Sequence, residues 1–387
     1  MDDAIDWAAL VTVIVTTSAS PVHPSTELIE STLTSLRDHA QMLRGCRTVI
    51  VCDGVRGVRA QSKYRSGRVT SQALQAYTEY KDELRALCSC GGRAGTCFEG
   101  QRCDVVELEE HHGFGFAVRR AMFHHVETPM VVVIQHDRTF TRPAPFFEDV
   151  AREMLRQGED GAIGYVLLPI TSTNNYALQW RTKLGQVGKK GHEADLDRFA
   201  IALGGDDRSR GCVNDACCGS SRNPGGGKDG SGSPIRKGET KTDAAAVLSE
   251  VVECGTTSLH SADARGAYVG GKHLLPCLRW YDSTHIAFSK FYREFVFSGE
   301  RKLVKRGGFI EDKLGQAQSR DVLSRGLDAT VPEWRLWLYQ DGLGRAVSHL
   351  DGSSGASAAE LDRRYPQRVA QRERRTQEEN ISITDFV

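Results

Sequence analysis

The sequence has no excess of charge of either sign. Its 50 lysines and arginines balance 50 aspartates and glutamates, so the formal net charge is zero. Proteins that bind nucleic acid or anionic membranes usually carry a surplus of basic side chains, and the overall balance favours neither kind of partner. The local exception is the segment 351–387, which turns basic after a stretch rich in serine, glycine and alanine. We expect this tail to be helical or disordered.

Long hydrophobic runs are also missing. The most apolar stretch near the N-terminus, Val11 to Val15, is far shorter than the roughly 20 residues that cross a bilayer. Residues 1–10 are acidic and lack the basic flank and apolar core of a signal peptide. We therefore expect a cytoplasmic protein without a transmembrane segment in this chain, or a catalytic fragment whose anchor lies outside it.

The cysteines do not have the spacing of a standard zinc site. There are 11 of them, and most lie in two glycine-rich stretches, 88–103 and 212–218. Neither stretch contains the paired CxxC spacing of zinc knuckles. Ordinary loop cysteines are the favoured interpretation, and a structural zinc ion or a local disulfide stays open as the alternative.

Strands and helices alternate through the first part of the chain. Four apolar runs predict strands at 10–17, 47–53, 104–108 and 130–134, and the β-branched first and last runs are expected to be buried. Amphipathic spacing predicts a surface helix that runs to about Leu43, the polar segment 59–83 is expected to be helical in its second half, and the turn Gly113-x-Gly115 opens the last helix. Such alternation is typical of an α/β fold built on a parallel sheet.

The second half of the chain is less regular. Residues 204–243 are of low complexity and rich in glycine and serine, which favours a flexible insertion. The other predicted elements are, in order, a helix (143–156), a strand (161–170), a loop followed by a helix (273–297) and a β-hairpin that turns at 341–344 (334–350).

Acidic side chains recur where apolar segments end. Asp53 follows the second predicted strand, Asp137 follows the fourth, and Glu311 and Asp312 end a glycine-rich turn. His349 ends the predicted hairpin. Open α/β sheets bind their ligands at the carboxyl ends of the strands. Carboxylates and imidazoles at that edge suit metal-site or phosphate-site chemistry.

The order and spacing of these motifs resemble those of a GT-A glycosyltransferase, most closely the inverting family 2 type. The resemblance implies a Rossmann-like, mostly parallel central sheet flanked by helices, with acceptor-side elements in the C-terminal half. Residues 8–141 would form the nucleotide-sugar-binding half and residues 142–350 the acceptor and catalytic half of one domain. The matching segments are VTVIVTT, VIVCDG, the Gly-x-Gly helix opening, VVVIQHD, GGFIED and a terminal histidine.

The resemblance also implies a reaction. A sugar would pass, with inversion, from a nucleotide-sugar donor to a hydroxyl group of a glycan, glycoside or protein. A UDP-sugar is the favoured donor, and no nucleic acid partner is expected. Asp312 matches the family's general base, which takes the proton of the attacking hydroxyl, and Glu311 would position this base or bind the acceptor.

Several residues match the donor side of the family's site. Asp53 corresponds to the aspartate that recognises the nucleobase. The other candidates are the strand end beside Asp53, two arginines that could neutralise phosphate and a histidine next to Asp137, namely Thr16, Thr17, Arg119, Arg120 and His136.

The resemblance places a divalent cation, Mn²⁺ or Mg²⁺, at Asp137, with His349 completing the metal site. The sequence departs from the family at Gln135, where the acidic motif usually begins with an aspartate. A single carboxylate binds a divalent cation weakly. Either His136 and His349 compensate, or the donor phosphates supply most of the ligands, and metal dependence stays open.

Two other functions fit parts of the pattern. A sugar-phosphate nucleotidyltransferase shares this kind of half-sheet but normally has a glycine-rich, basic loop after the first strand, and here that loop is SASPVHPST. A non-catalytic nucleotide- or carbohydrate-binding protein on a degenerate GT-A fold is compatible with Gln135.

Structural roles stand beside the functional ones. Asp53 could cap the following turn, Asp312 could stabilise a helix N-terminus, and His349 could be a buried structural histidine. The segment Trp280-Tyr281-Asp282 could line an acceptor pocket or belong to the core.

Overall fold

The computed structural model describes residues 5–89, 98, 101–173, 176–177, 179–180, 196–203 and 271–350. The predicted insertion (204–243), the predicted tail (351–387) and the second cysteine cluster lie outside these residues. Four cysteines within them are free thiols, namely Cys46, Cys52, Cys103 and Cys277. No helix in this part of the chain has the length and apolar character to cross a membrane.

The strands alternate with helices from the N-terminus to about residue 157. The strands are β1 (Val11–Thr17), β2 (Arg47–Cys52), β3 (Gly57–Val58), β4 (Arg68–Val69), β5 (Cys103–Glu107), β6 (Met130–Gln135), β7 (Arg138–Phe140), β8 (Tyr165–Leu167), β9 (Ile201–Ala202), β10 (His273–Pro276), β11 (His285–Phe288), β12 (Leu336–Gln340) and β13 (Val347–His349).

The helices are mostly short. They are α1 (Trp7–Leu10), α2 (Glu27–His39), α3 (Ser71–Cys88), α4 (Gly113–His124), α5 (Phe146–Gln157), α6 (Ser289–Phe291) with a π-helical turn after it (Tyr292–Val296), α7 (Gln316–Arg325) with a π-helical turn before it (Glu311–Gly315), and α8 (Leu327–Trp334). Single turns of 3₁₀ helix lie at Gln41–Leu43, Tyr64–Ser66, Thr171–Thr173 and Leu196–Phe199.

Among the described residues a nine-stranded sheet forms the centre of the fold, in the order β5-β2-β1-β6-β11-β8-β12-β10-β9. Only β10 and β11 run against the other strands of this sheet. The predicted α/β fold with a mostly parallel central sheet flanked by helices is therefore confirmed. Strands come from both predicted halves, and the boundary at residue 141 itself stays a prediction.

The first four predicted strands are confirmed. Strands β1, β2 and β6 are buried almost throughout, whereas β5 lies at the edge of the sheet and has no fully buried residue. Every residue of β1 is buried, as are the first five of β6. Helix α4 packs on β1 and β2. Helix α2 turns its apolar residues inward at helical spacing, with Ile29 and Leu33 fully buried. Burial on both faces explains why these strands are continuously hydrophobic.

The predicted hairpin at 334–350 is wrong. Trp334 ends helix α8, and β12 lies inside the central sheet, parallel to β8 and antiparallel to β10. Strand β13 leaves that sheet and pairs with β7. The first four residues of β12 are all buried, as expected of a strand covered on both faces, whereas a surface hairpin would expose alternate residues.

The prediction of a loop followed by a helix at 273–297 is also incomplete. This segment begins with β10 and then β11, which enters the sheet between β6 and β8 and runs antiparallel to both. The helical part is confined to 289–296. Four-residue strands are too short for a period of two to stand out from an aromatic-rich segment.

His285 in β11 is a fully buried histidine that is neutral in the fold. Its Nδ1 lies 2.5 Å from the Ser283 carbonyl oxygen and its Nε2 lies 2.6 Å from the Tyr292 hydroxyl. Burial lowers the pKa of His285 to about 3, although the Ser283 carbonyl opposes this shift. Since the unfolded chain takes up the proton near pH 6.5 and the folded chain does not, stability falls as the pH drops below that value.

We expect His285→Gln to have a shallower pH dependence of folding stability than the wild type. Between pH 7 and pH 5 the imidazole should account for about 2 kcal/mol of lost unfolding free energy, because only the unfolded state is protonated there. Urea unfolding at both pH values checks this difference. Equal losses of unfolding free energy in the wild type and in His285→Gln would contradict the conclusion that His285 is neutral in the folded protein.

Candidate active site

A cavity of about 700 Å³ opens at the carboxyl ends of β1, β2 and β6. Parallel strands deliver their carboxyl ends to one edge of a sheet, so residues far apart in sequence meet there. The walls of the cavity include most of the predicted site residues, namely Thr16, Thr17, Asp53, His136, Asp137, Glu311, Asp312 and His349.

Asp137 and His349 lie side by side, although 212 positions separate them. Their approach depends on the pairing of β13 with β7, which sets His349 opposite Arg138. His349 Nε2 donates a hydrogen bond to Asp137 Oδ2 over 2.9 Å, and the backbone N–H of Leu350 donates to the Asp137 carbonyl over 2.8 Å. Tertiary pairing of β7 and β13 therefore completes this corner.

The Asp137 carboxylate is held in its charged form. Burial by itself would raise its pKa, but the hydrogen bond from His349 and the electrostatic influence of His136, His349 and Arg138 outweigh burial and lower the pKa to about 2. Asp137 is 4% exposed, and its Oδ1 has no hydrogen-bond partner among the described residues. A buried, charged and unsatisfied oxygen is well suited to a cation or a hydrogen-bond donor.

The residues at this corner fit a divalent cation only in part. Asp137 can offer its Oδ1, and His349 can offer the ring nitrogen that does not donate to Asp137. Gln135 also lines the cavity, but its Nε2 donates to the Asp282 carbonyl. Within the described residues no group of three or more histidine, cysteine or acidic side chains could hold a metal by itself. Mg²⁺ commonly binds through one or two carboxylates plus substrate phosphates, and the carboxylate of Asp137 matches that arrangement.

Asp53 caps helix α4. Its Oδ1 accepts from the backbone N–H of His112 at 2.7 Å and its Oδ2 accepts from that of Gly113 at 2.9 Å. His111 Nδ1 also lies 2.9 Å from Oδ2. The structure thus shows Asp53 as a cap on the distant helix α4, whereas the structural alternative predicted a cap on the turn that follows β2. Asp53 also faces the cavity, and its contact with a nucleobase stays a prediction.

The strand ends around Asp53 and Asp137 are tied together by hydrogen bonds. The backbone N–H of His136 donates to the Thr16 carbonyl at 3.0 Å, and that of Asp53 donates to the Thr17 carbonyl at 2.8 Å. The Thr17 hydroxyl lies 3.1 Å from the Tyr80 hydroxyl. This part of the cavity wall is thus an extension of the sheet.

Glu311 is joined to a buried aspartate, Asp282. The backbone N–H of each residue donates to the side chain of the other, over 3.1 Å to Asp282 Oδ2 and 3.3 Å to Glu311 Oε2. Trp280 Nε1 donates to Asp282 Oδ1 at 2.8 Å. Burial, reinforced by the nearby Glu311, raises the pKa of Asp282 well above its usual value. Trp280 is fully buried, so its predicted alternative as a core residue is the one observed.

Asp312 is exposed at the cavity wall, in the π-helical turn that leads into α7. Its Oδ2 accepts from the backbone N–H of Phe309 at 3.1 Å. Neighbouring Glu311 is engaged with Asp282, whereas Asp312 presents its carboxylate to the cavity. A carboxylate in this position can accept a proton from a bound hydroxyl.

The turn that carries Asp312 packs on the glycine opening of α4. The backbone N–H of Gly307 donates to the His112 carbonyl at 2.6 Å, and that of Gly115 donates to the Gly308 carbonyl at 3.2 Å. A Cβ atom on Gly113 would come within 2.6 Å of the Gly307 backbone. The two glycine motifs therefore set the position of Asp312 jointly, by close backbone contact.

We expect Gly113→Ala to destabilise the protein far more than Gly342→Ala. Both glycines have φ of +73°, so both changes cost about 1 kcal/mol of backbone strain. A Cβ atom at Gly342 would have open space around it, whereas a Cβ atom at Gly113 would overlap with backbone atoms. We expect this overlap to lower the free energy of unfolding of Gly113→Ala by at least ~2 kcal/mol more than that of Gly342→Ala. Urea unfolding measures the difference, and similar losses for both variants would contradict the close packing.

Arg119 and Arg120 do not belong to the cavity wall. Arg119 stacks over Phe116 and Phe123, and Arg120 is exposed beside His124. This placement does not support their predicted contact with phosphate. The arginines that do line the cavity are Arg65, Arg138 and Arg279.

Comparison with known proteins gives distant structural likenesses only. No family model matches the chain, and no curated protein matches it in sequence. Among solved structures, S. aureus TarS in complex with UDP-GlcNAc is 17% identical with a TM-score of 0.25, over 42% of this chain and 34% of that one. A mannosyltransferase from Pyrobaculum calidifontis, in complex with GDP-Man and Mn²⁺, is 20% identical with a TM-score of 0.26, over 48% of this chain and 43% of that one.

A third structure, the galactosyltransferase LgtC in complex with donor and acceptor sugar analogues, is 8% identical with a TM-score of 0.25. That match covers 46% of this chain and 53% of the other. In each case the matched region is less than two thirds of the other protein's length. Likenesses at this level establish neither a shared family nor a shared activity.

Sequence reasoning did not find Arg279 as a cavity residue. Its Nε is buried and has no hydrogen-bond partner among the described residues. Arg279 lies in an irregular connection between β10 and β11, where no periodicity predicts the direction of a side chain. Its position three residues before Asp282 was the available signal, because that segment was already a candidate for the acceptor side.

Proposed function

We propose that this protein is an inverting, family 2-like glycosyltransferase that moves a sugar from a nucleotide-sugar donor, with a UDP-sugar as the favoured one, to a hydroxyl acceptor. The observation that carries the proposal is the shared cavity of Asp137 and Asp312. One carboxylate is buried with an unsatisfied oxygen, and the other is exposed and accessible to a bound acceptor. A single displacement needs one group that accepts the proton of the attacking hydroxyl and another that stabilises the leaving diphosphate, on opposite sides of the reacting carbon.

On the acceptor side, Asp312 would take the hydroxyl proton as the oxygen attacks the anomeric carbon of the donor sugar. Glu311 would hold the turn through Asp282, so that the base keeps its orientation. On the donor side, the cations of Arg138 and Arg279 line the cavity where a diphosphate would gain charge as it leaves.

Asp137 and His349 are the residues that would hold Mn²⁺ or Mg²⁺ together with the donor phosphates. When bound there, the cation would neutralise negative charge on the leaving diphosphate. The nucleobase would lie toward Asp53, Thr16 and Thr17, at the ends of β1 and β2.

A thermal-shift screen tests this proposal directly. UDP, GDP, ADP, CDP and dTDP are each added with and without Mn²⁺, and the corresponding nucleotide sugars are then assayed for hydrolysis and transfer. We expect one nucleotide diphosphate to raise the Tm and its sugar to be turned over. Binding without turnover would favour a non-catalytic binding protein on the same fold, and no nucleotide binding at all would overturn the donor site.

A further inference from the structure

Two phenylalanine rings form part of the cavity wall on the side of Asp312. Phe114 lies in the first turn of α4 and Phe309 lies in the glycine turn before Asp312. Their rings stack with centroids 5.7 Å apart and an angle of 21° between planes. Phe309 is 36% exposed, which places it among the most exposed large hydrophobic side chains of the described residues.

Backbone hydrogen bonds hold the turn that carries Phe309. Gly307 and Gly308 on one side and His112 and Gly115 on the other exchange the two hydrogen bonds that join the turn to α4. The ring of Phe114 stacks against the ring of Phe309. An exposed ring held in this way is pre-organised for stacking, because little conformational freedom is lost when a ligand contacts it.

Phe309 is also coupled to the proposed base. Its backbone N–H donates to Asp312 Oδ2 at 3.1 Å, so the ring and the carboxylate belong to one short turn. A molecule whose flat apolar face rests on the ring would have hydroxyl groups at its edge within the same part of the cavity. Aromatic faces carry partial negative charge and attract C–H groups with partial positive charge, which line the face of a pyranose ring.

We propose that Phe309, supported by Phe114, is the stacking platform of the acceptor site, and that the acceptor is a pyranoside. The platform selects a cyclic sugar over an acyclic alditol, because only the ring presents a flat C–H face. This inference rests on the proposed glycosyltransferase function and specifies its acceptor class.

The test compares wild type, Phe309→Ala, Phe309→Tyr and Phe123→Ala with methyl β-D-glucopyranoside, its galacto and manno analogues, and sorbitol as acceptors. Phe309→Ala should raise the pyranoside KM about tenfold, with the loss in KM rather than in kcat, and Phe309→Tyr should restore it. Phe123 is the matched control, because it is an exposed phenylalanine that lies outside the cavity. An unchanged KM in Phe309→Ala, or a preference for sorbitol, would overturn the platform.

Binding measured without turnover separates this inference from the function on which it rests. Saturation-transfer NMR with methyl β-D-glucopyranoside should give a signal for the wild type and Phe123→Ala and a reduced signal for Phe309→Ala. If the wild type turns over no nucleotide sugar, the proposed function fails and the NMR comparison decides the platform alone. Equal signals in all three proteins would then reject it.

Discussion

Replacing Asp312 by asparagine should reduce sugar transfer about a thousandfold while nucleotide binding stays intact. Asparagine has nearly the same shape, and its oxygen can still accept the hydrogen bond from the Phe309 backbone. It cannot take a proton from an attacking hydroxyl. The loss should therefore appear in kcat, whereas the Tm shift caused by the nucleotide diphosphate should match that of the wild type.

Asp328→Asn is the matched control for this variant. Asp328 is an exposed acid on α8, in an ion pair with Arg198, and it does not line the cavity. The same chemical change there should leave turnover unaltered. Undiminished turnover in Asp312→Asn would reject the base assignment, and loss of nucleotide binding would show that Asp312 acts on the donor instead.

Replacing Asp137 by asparagine should abolish the effect of Mn²⁺ on nucleotide binding and lower turnover about a hundredfold. In the wild type we expect Mn²⁺ and the nucleotide diphosphate to bind cooperatively, because Asp137 and His349 offer too few ligands to hold the cation alone. Linkage requires the effect to be reciprocal, so each ligand should tighten the other by the same factor. Calorimetric titration of UDP with and without Mn²⁺, and of Mn²⁺ with and without UDP, measures this factor.

Asp341→Asn serves as the control for Asp137→Asn. Asp341 is likewise a largely buried carboxylate, but its partner is Arg142 and it does not line the cavity. Its replacement should leave the coupling between Mn²⁺ and UDP unchanged. If the wild type itself binds UDP equally well with and without Mn²⁺, the proposed metal role of Asp137 is wrong. Gln135, in place of the family's aspartate, would then belong to a site in which Arg138 and Arg279 neutralise the diphosphate without a metal.

The first half of the fold could be predicted well because its elements are local. Strands such as β1 and β6 are continuous apolar runs, and their parallel alignment brings Asp53 and Asp137 to one edge of the sheet. The glycine turns were also visible in the sequence. Their contact with each other was not, because nothing local indicates that Gly113 will meet Gly307.

The second half was predicted less well, and the reason is again physical. Strands β10, β11 and β12 find their partners across long sequence separations, so their pairing depends on the space left in the sheet. The hairpin prediction assumed that neighbouring segments pair with each other. Strand β12 instead lies inside the central sheet between β8 and β10, and β13 pairs with β7.

The sequence by itself determined the α/β class, the buried strands β1, β2 and β6, and the acids that follow them. Hydrophobic patterns and strand ends depend on residues that are neighbours in the sequence, so they can be recognised without the tertiary structure. Only the tertiary structure decided that His349 lies against Asp137, that Arg279 rather than Arg119 or Arg120 lines the cavity, and that Asp53 caps α4. Those contacts depend on strand pairing and on irregular connections, where a side chain's direction follows from the packing of the whole chain.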